Sequence, residues 1–245
     1  MLARNIMGKE LSYKIFKDKV FKKLDDQKLH ELFYFSLFDP SSWEEDFNFR
    51  RLINIDEIQK NIIEIISEAN KNFLKHFIKK AEERDKFFNT FVYSDKLSRF
   101  LIAYGLEKLE IRIDENSLKK GRPDIIVFDE NGRKVAVELK RIISGSNLRN
   151  AITSQNAEIL KQIESFDEKK VILLFVFPQI GKEESIRIYK LIEGYYVIED
   201  LIREKLKEDK IVKLVCTYVE KRYNELSDFN FKSIPKRIEN IVRNF

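Results

Sequence analysis

Apolar positions in the first ninety or so residues recur at steps of three and four, the spacing of one helix face. Ile15, Phe16, Val20, Phe21 and Leu24 form one such stripe, and Leu29, Leu32 and Phe33 form another. Asp39-Pro40-Ser41-Ser42 interrupts the pattern, because proline restricts the residue before it and turn-forming side chains follow. Ile58, Ile62, Ile65, Ala69, Phe73, Phe77 and Ala81 then resume the helical steps. That stripe predicts one helix from Ile55 to about Asn89, roughly 50 Å long at about 1.5 Å per residue. A helix of that length reaches beyond one compact core, toward a partner or a second subunit.

From Ser94 the pattern changes. Ser94-Asp95 reads as the N-cap of a helix through Leu97, Phe100, Leu101 and Tyr104, with Gly105 ending it. Leu109 to Ile113 alternates and reads as a strand. Two apolar stretches, Ile125–Phe128 and Val135–Leu139, flank an insert containing Asn131-Gly132, a hairpin turn signal that makes them antiparallel neighbours. Asn147 or Asn150 opens a helix carrying Ile152, Ile159, Leu160 and Ile163. Val171–Phe177 is apolar throughout and stops at Pro178, as a central strand buried on both faces does. A helix over Ile198–Lys207, a strand over Ile211–Val219 and a last helix from Ile234 complete the order. The expected class is α/β: a mixed central sheet flanked by helices over residues 93–245, preceded by a helical N-terminal extension over residues 1–92.

Charge and composition narrow the partners. With 46 basic against 41 acidic side chains in 245 residues, the net charge is +5 and the pI about 9.0. This excess permits a polyanionic partner without requiring one. No run approaches the roughly 18 to 20 apolar residues of a membrane span, and no signal-peptide pattern is present. The expectation is a protein of the cytoplasm (the host's, if viral) with no membrane partner. Cys216 is the single cysteine, so no internal disulfide forms, and its apolar surroundings suit a small buried side chain. His30 and His76 lie in helical patterns without a partner cluster, which argues against zinc or a serine–histidine triad. Neither GxGxxG nor GxxxxGK[ST] occurs, against a dinucleotide or nucleoside-triphosphate fold.

The candidate chemistry sits on the hairpin. Alternate residues of a strand share a face, so Glu138 and Lys140 point one way and Val135, Val137 and Leu139 the other. Antiparallel pairing brings Asp124 beside them. Two carboxylates and one ammonium at a single point suit a hard divalent cation with water attached. A solvated salt-bridge cluster at a sheet end uses the same residue types, but does not explain their place at the ends of two otherwise apolar strands.

Pro123-Asp124 followed by Glu138-Leu139-Lys140 resembles the PD-(D/E)xK nuclease superfamily, which includes restriction endonucleases, archaeal Holliday-junction resolvases and the RecB-like and NucS-like nucleases. The resemblance covers about Ser94 to Phe177. It implies a restriction-endonuclease-like core and Mg²⁺ or Mn²⁺ held by Asp124, Glu138 and the carbonyl of Leu139. Lys140 would hold or help deprotonate the attacking water. Several RecB-like and NucS-like members carry a glutamine on the next helix with an aromatic four positions on. Gln155 takes that place, with Ile159 for the aromatic, while Gln162, followed by Phe166, lies on the same helical face. The acid expected on the first helix falls at Ser94, leaving Asp95, Glu107 or Glu110 as substitutes, an N-cap role competing for Asp95. Lys119, Lys120, Arg122, Arg133, Lys134 and Arg141 surround the trio in sequence and would contact phosphates.

The implied function is a metal-dependent DNA endonuclease, structure-selective in recombination, repair or replication of a cellular or mobile genome. The alternatives are a sequence-specific restriction endonuclease and a non-catalytic nucleic-acid-binding protein that keeps the core. Cutting both strands together needs two sites, hence an expected homodimer, with the N-terminal helices as interface or as a DNA-binding element.

Overall fold

The computed structural model describes residues 11–40, 53–78, 81–120, 123–141, 158–179, 209–227 and 230–245. The described N-terminal residues are helical. Helix α1 (Tyr13–Lys19) starts at Ser12, whose side chain accepts from the Ile15 N–H. Helix α2 (Asp26–Ser36) starts at Asp25, whose carboxylate accepts from the Lys28 N–H at 2.8 Å. Phe16, Val20, Phe21, Leu29, Leu32 and Phe33 are buried, as their spacing predicts, whereas Ile15 is exposed.

The long helix expected from Ile55 to Asn89 is broken. Helix α3 (Ile55–Ala69) stops at Asn70, where the backbone turns to φ −160 and ψ 95. The Asn70 side chain accepts from the Asn72 N–H and opens helix α4 (Lys71–Phe77). Helix α5 (Ala81–Phe87) and a wider turn over Phe88–Val92 follow. Ile58, Ile62, Ile65 and Phe73 are all buried, so the stripe faces the core although the rod does not exist. Apolar periodicity reports which face is buried and is blind to a break that keeps the face. Phe16 meets Phe21, Phe73 and Phe91 at ring centroid distances of 5.0, 5.3 and 4.8 Å, so these helices close on one another.

Helix α6 (Lys96–Lys108) is buried over most of its surface and forms the centre of this layer. Gly105 does not end it. A Cβ there would lie 2.5 Å from Pro235 Cγ and 3.3 Å from Phe231, so the glycine is what lets helix α9 (Ser233–Arg243) pack against it. The strand expected at Leu109–Ile113 is reduced to one antiparallel bridge, Ile113 with Val127, because Glu110 turns the chain at φ 62. A short helix, α7 (Ser117–Lys120), leads into the hairpin.

Strands β1 (Ile125–Phe128) and β2 (Lys134–Arg141) pair antiparallel, with Ile125 opposite Val137 and Phe128 opposite Lys134. The Gly132 N–H donates to the Asp129 carbonyl at 2.9 Å and Gly132 has φ 72, so the turn residue adopts the left-handed backbone that glycine permits. Helix α8 (Glu158–Glu164) crosses to strand β3 (Lys170–Pro178), which lies parallel to β2 on one side and to β4 (Ile211–Val219) on the other. The sheet order is β1-β2-β3-β4, mixed in direction and flanked by helices, and the class is α/β. β3 is buried over nearly its whole length, as its unbroken apolar run predicts. The helix expected over Ile198–Lys207 and the Asn147–Ile152 helix start lie outside the described residues.

The two faces of the sheet differ in scale. Ile125, Val127, Val135, Val137, Leu139, Ile172 and Leu174 share one buried cluster with α1 to α6 and α9. That cluster runs from Leu11 to Val242, across the 92/93 boundary, and it consumes the apolar stripes of the N-terminal helices. The opposite face is smaller: Ala136, Val171, Leu173 and Phe175 pack against Ile159, Ile163 and Phe166. His30 ties α2 to the C-terminal segment. The Phe231 N–H donates to its Nδ1 at 3.0 Å, so the ring proton sits on Nε2 and is given to the Glu220 carbonyl at 2.7 Å. Burial holds the ring below its ordinary pKa. Among the described residues no helix is long and apolar enough to cross a membrane.

Candidate functional site

The hairpin register places Asp124 opposite Glu138, one step beyond the Ile125–Val137 pair. The Leu139 N–H donates to Asp124 Oδ2 at 2.7 Å, and the Asp124 N–H lies 3.4 Å from Glu138 Oε2. Ala136, Glu138 and Lys140 alternate onto the sheet face that carries α8. Lys140 Nζ therefore meets that helix, donating to Gln162 Oε1 at 2.6 Å and to Glu138 Oε1 at 2.8 Å. Asp124, Glu138 and Lys140, expected together from strand alternation and the hairpin turn, lie together in the structure. Of the two glutamines considered, Gln162 is the one seen at Lys140; Gln155 and Arg122 lie outside the described residues.

These groups are not a solvated ion-pair cluster. Asp124 is 8% exposed and Glu138 4%, so their charges are held away from water. Burial, with the negative charge of Glu138 and a smaller push from Asp95, drives the Asp124 carboxyl up to about 7. Arg99 and the Leu139 N–H pull the other way and do not prevail. Two carboxylates sharing a dry site repel, so Asp124 gives up its proton less readily than an ordinary aspartate. Groups arranged this way cost stability, and perturbed carboxylates in such places gather at functional sites more often than in scaffold.

The donor set fits a hard divalent cation. Each carboxylate spends one oxygen on a short bond, Asp124 Oδ2 on Leu139 and Glu138 Oε1 on Lys140. Among the described residues, the others, Asp124 Oδ1 and Glu138 Oε2, have contacts at 3.4 Å, to Arg99 Nη1 and to the Asp124 N–H. Two carboxylate oxygens leave the remaining positions to water, as Mg²⁺ prefers. Among the described residues, no group of three or more His, Cys, Asp or Glu is placed to hold a metal. Leu139 has its side chain in the core and its N–H on Asp124.

The expected first-helix acid is not found in the form anticipated. Asp95 stands at the N-cap of α6 but its side chain makes no cap bond; its backbone is left-handed at φ 64, and its carboxylate pairs with Arg141 Nε. Burial pushes its carboxyl up against the pull of Arg141 and Arg99. Ser94 donates to the Thr90 carbonyl at 2.8 Å. Glu107 accepts from Tyr13 and Lys17 of α1, and lies eight residues along α6 from Arg99, roughly 12 Å at about 1.5 Å per residue. Glu110 sits in the turn after the helix.

Three members of the basic cluster, Arg133, Lys134 and Arg141, have partners away from the trio. Arg133 and Lys134 pair with Asp129 and Asp114 at the loop end of the hairpin. Lys134 stands four residues from Glu138, roughly 13 Å at about 3.3 Å per residue. Arg141 is anchored inward, donating to the carbonyls of Ser36 at 3.0 Å and Tyr93 at 2.6 Å, with Asp39 at 3.5 Å. It is a structural tie and not a free phosphate contact. Among the described residues, Arg99, which the sequence did not single out, joins Lys140 at the centre. The one signal was a charge inside the otherwise apolar face Leu97, Phe100, Leu101. No protein-family model, curated protein or solved structure matches the chain.

Proposed function

We propose that the chain is a metal-dependent deoxyribonuclease of the PD-(D/E)xK kind, hydrolysing phosphodiester bonds of DNA and selective for DNA structure. The observation that supports this most is the meeting of Asp124, Glu138 and Lys140 at the open end of the β1–β2 hairpin, with Gln162 fixing the ammonium. The order of helix, edge bridge, antiparallel pair, helix and parallel strand agrees with a restriction-endonuclease-like core.

When bound, Mg²⁺ or Mn²⁺ supplies a water of lowered pKa and neutralises a phosphate oxygen. Asp124 and Glu138 would hold it through Oδ1 and Oε2. Lys140 has three N–H donors, and two are committed to Glu138 and Gln162. The third is directed by that pair of bonds, and it orients a water and offsets negative charge growing on the phosphate. Gln162, itself buried, stops the lysine from swinging away. Cutting both strands in one encounter needs two such centres, so the proposal includes a homodimer, which light scattering of the full chain reads directly.

The test is a cleavage panel with Mg²⁺ or Mn²⁺ on duplex, single-stranded, flap and four-way-junction DNA, with Glu138→Ala as control. Cleavage of at least one substrate, lost in the control and on chelation, is the expected result. Equal cleavage by the control, or none on any substrate, overturns the proposal.

A further inference from the structure

Three carboxylates around the centre each face one cation: Asp95 with Arg141, Glu138 with Lys140, and Asp124 with Arg99. The first two cations are well supplied. Arg141 has main-chain carbonyls as well as its acids, and Lys140 has Gln162. Arg99 is different. It is 9% exposed, its Nη1 lies 3.4 Å from Asp124 Oδ1, and among the described residues neither Nη1 nor Nε has a hydrogen-bond partner. Its neighbours Leu97, Ser98 and Phe100 on α6 are buried, so the helix that delivers it is fixed in place.

A buried guanidinium with two donors unmet among the described residues is costly to keep, and an acceptor brought into the centre would satisfy it. Its planar fork matches two oxygens of a tetrahedral anion. A cation on Asp124 and Glu138 would also take over Asp124, which is the counter-charge of Arg99. An anion arriving with that cation replaces what Arg99 loses. The flexible side chain makes the shift by rotation about its own bonds, without moving α6.

We propose that Arg99 is the phosphate receptor of the centre, a positioning residue whose guanidinium takes an oxygen of the phosphate bound beside Asp124 and Glu138. The inference rests on the nuclease reading and names the residue that orients its phosphate.

The full chain, Arg99→Met and Arg99→Gln are compared in two measurements. The first is fluorescence anisotropy of a labelled DNA duplex in Ca²⁺, over a range of salt. Loss of one phosphate contact weakens binding about tenfold and lowers the slope of log affinity against log salt by about 0.9. A residue that only supports the fold leaves that slope unchanged. The second is thermal unfolding with and without inorganic phosphate, in Mg²⁺. Phosphate raises the melting temperature of the full chain and not of the variants. Unchanged affinity and slope in the variants overturn the inference, as does failure of both to fold, which would place Arg99 in the scaffold. A full chain that binds no duplex but shows the phosphate shift, lost in the variants, keeps Arg99 as an anion receptor and removes the nuclease reading.

Discussion

The two ends of the β1–β2 hairpin each hold a buried aspartate among cations, and they are built to opposite purposes. At the loop end, Asp129 accepts from the N–H groups of Asn131 and Arg133, from Arg133 Nε and from Lys170 Nζ, all at 2.9 to 3.0 Å. Burial alone would raise its carboxyl, but the Lys170 and Arg133 bonds overrule it and pull the pKa down to about 2. At the open end, Asp124 has one short bond, a loose pair with Arg99 and a second carboxylate for a neighbour, and its carboxyl rises to about 7. The same residue type, flanking the same strand β1, is satisfied at one end and frustrated at the other. A satisfied buried charge holds a loop; a frustrated one costs stability unless something meets it.

Removing a carboxylate from each end separates the two roles. Glu138→Ala is expected to lower Mg²⁺-dependent cleavage by on the order of 10³ or more, while the denaturation midpoint changes little. Full activity in that variant would break the comparison at its more informative end. Asp129→Ala leaves Lys170 buried without its partner and should cost about 3 kcal/mol in urea unfolding, with cleavage per folded molecule retained. Because the folded pKa of Asp129 lies below its ordinary value of 3.8, the unfolded chain takes the proton first. Its contribution is therefore complete above about pH 4 and lost as pH falls toward 2. Asp129→Asn should flatten that part of the acid unfolding curve, and an unaltered curve would show that the loop-end bonds add nothing.

Smaller effects sharpen the contrast. Gln162→Leu keeps both carboxylates and frees the Lys140 ammonium, so cleavage should fall about 10- to 100-fold, less than for Glu138→Ala. A loss as large as that of Glu138→Ala would make Gln162 more than a tether. Arg133 is more than half exposed at its side chain, and Arg133→Ala should change stability by about 0.5 kcal/mol or less. A larger change would mean that Asp129 depends on its exposed partner as much as on Lys170.

Alternation and turn chemistry carried a large part of this arrangement in the sequence. The hairpin, the shared face of Glu138 and Lys140, the approach of Asp124 and the buried strand β3 all follow from periods of two and an Asn-Gly pair. The rest depends on information those periods lack. Asn70 inside an unbroken apolar stripe reads as a tolerated helical residue, yet it caps a new helix. Ile113 alternates like a strand residue but has one bridge partner, because the left-handed turn at Glu110 leaves no length to pair. Which glutamine reaches Lys140 depends on where α8 crosses the sheet, and 22 residues of separation do not encode that. Arg99 is legible only once α6 is known to be buried on nearly every side, since an arginine on a helix otherwise reads as a solvent-facing charge.

Lys140 and Arg141 are adjacent, and their side chains leave the strand in opposite directions. One enters the centre; the other runs through the fold to Ser36, Asp39, Tyr93 and Asp95. A two-residue step of β2 is therefore the hinge pin between the catalytic candidate and the helices that precede it. The sheet and its trio do not form a cassette that can be excised and grafted elsewhere. Trimming the chain before Tyr93 would strip Arg141 of Ser36 and Asp39 and loosen the strand that aims Lys140, so the minimal transplantable unit begins no later than α2.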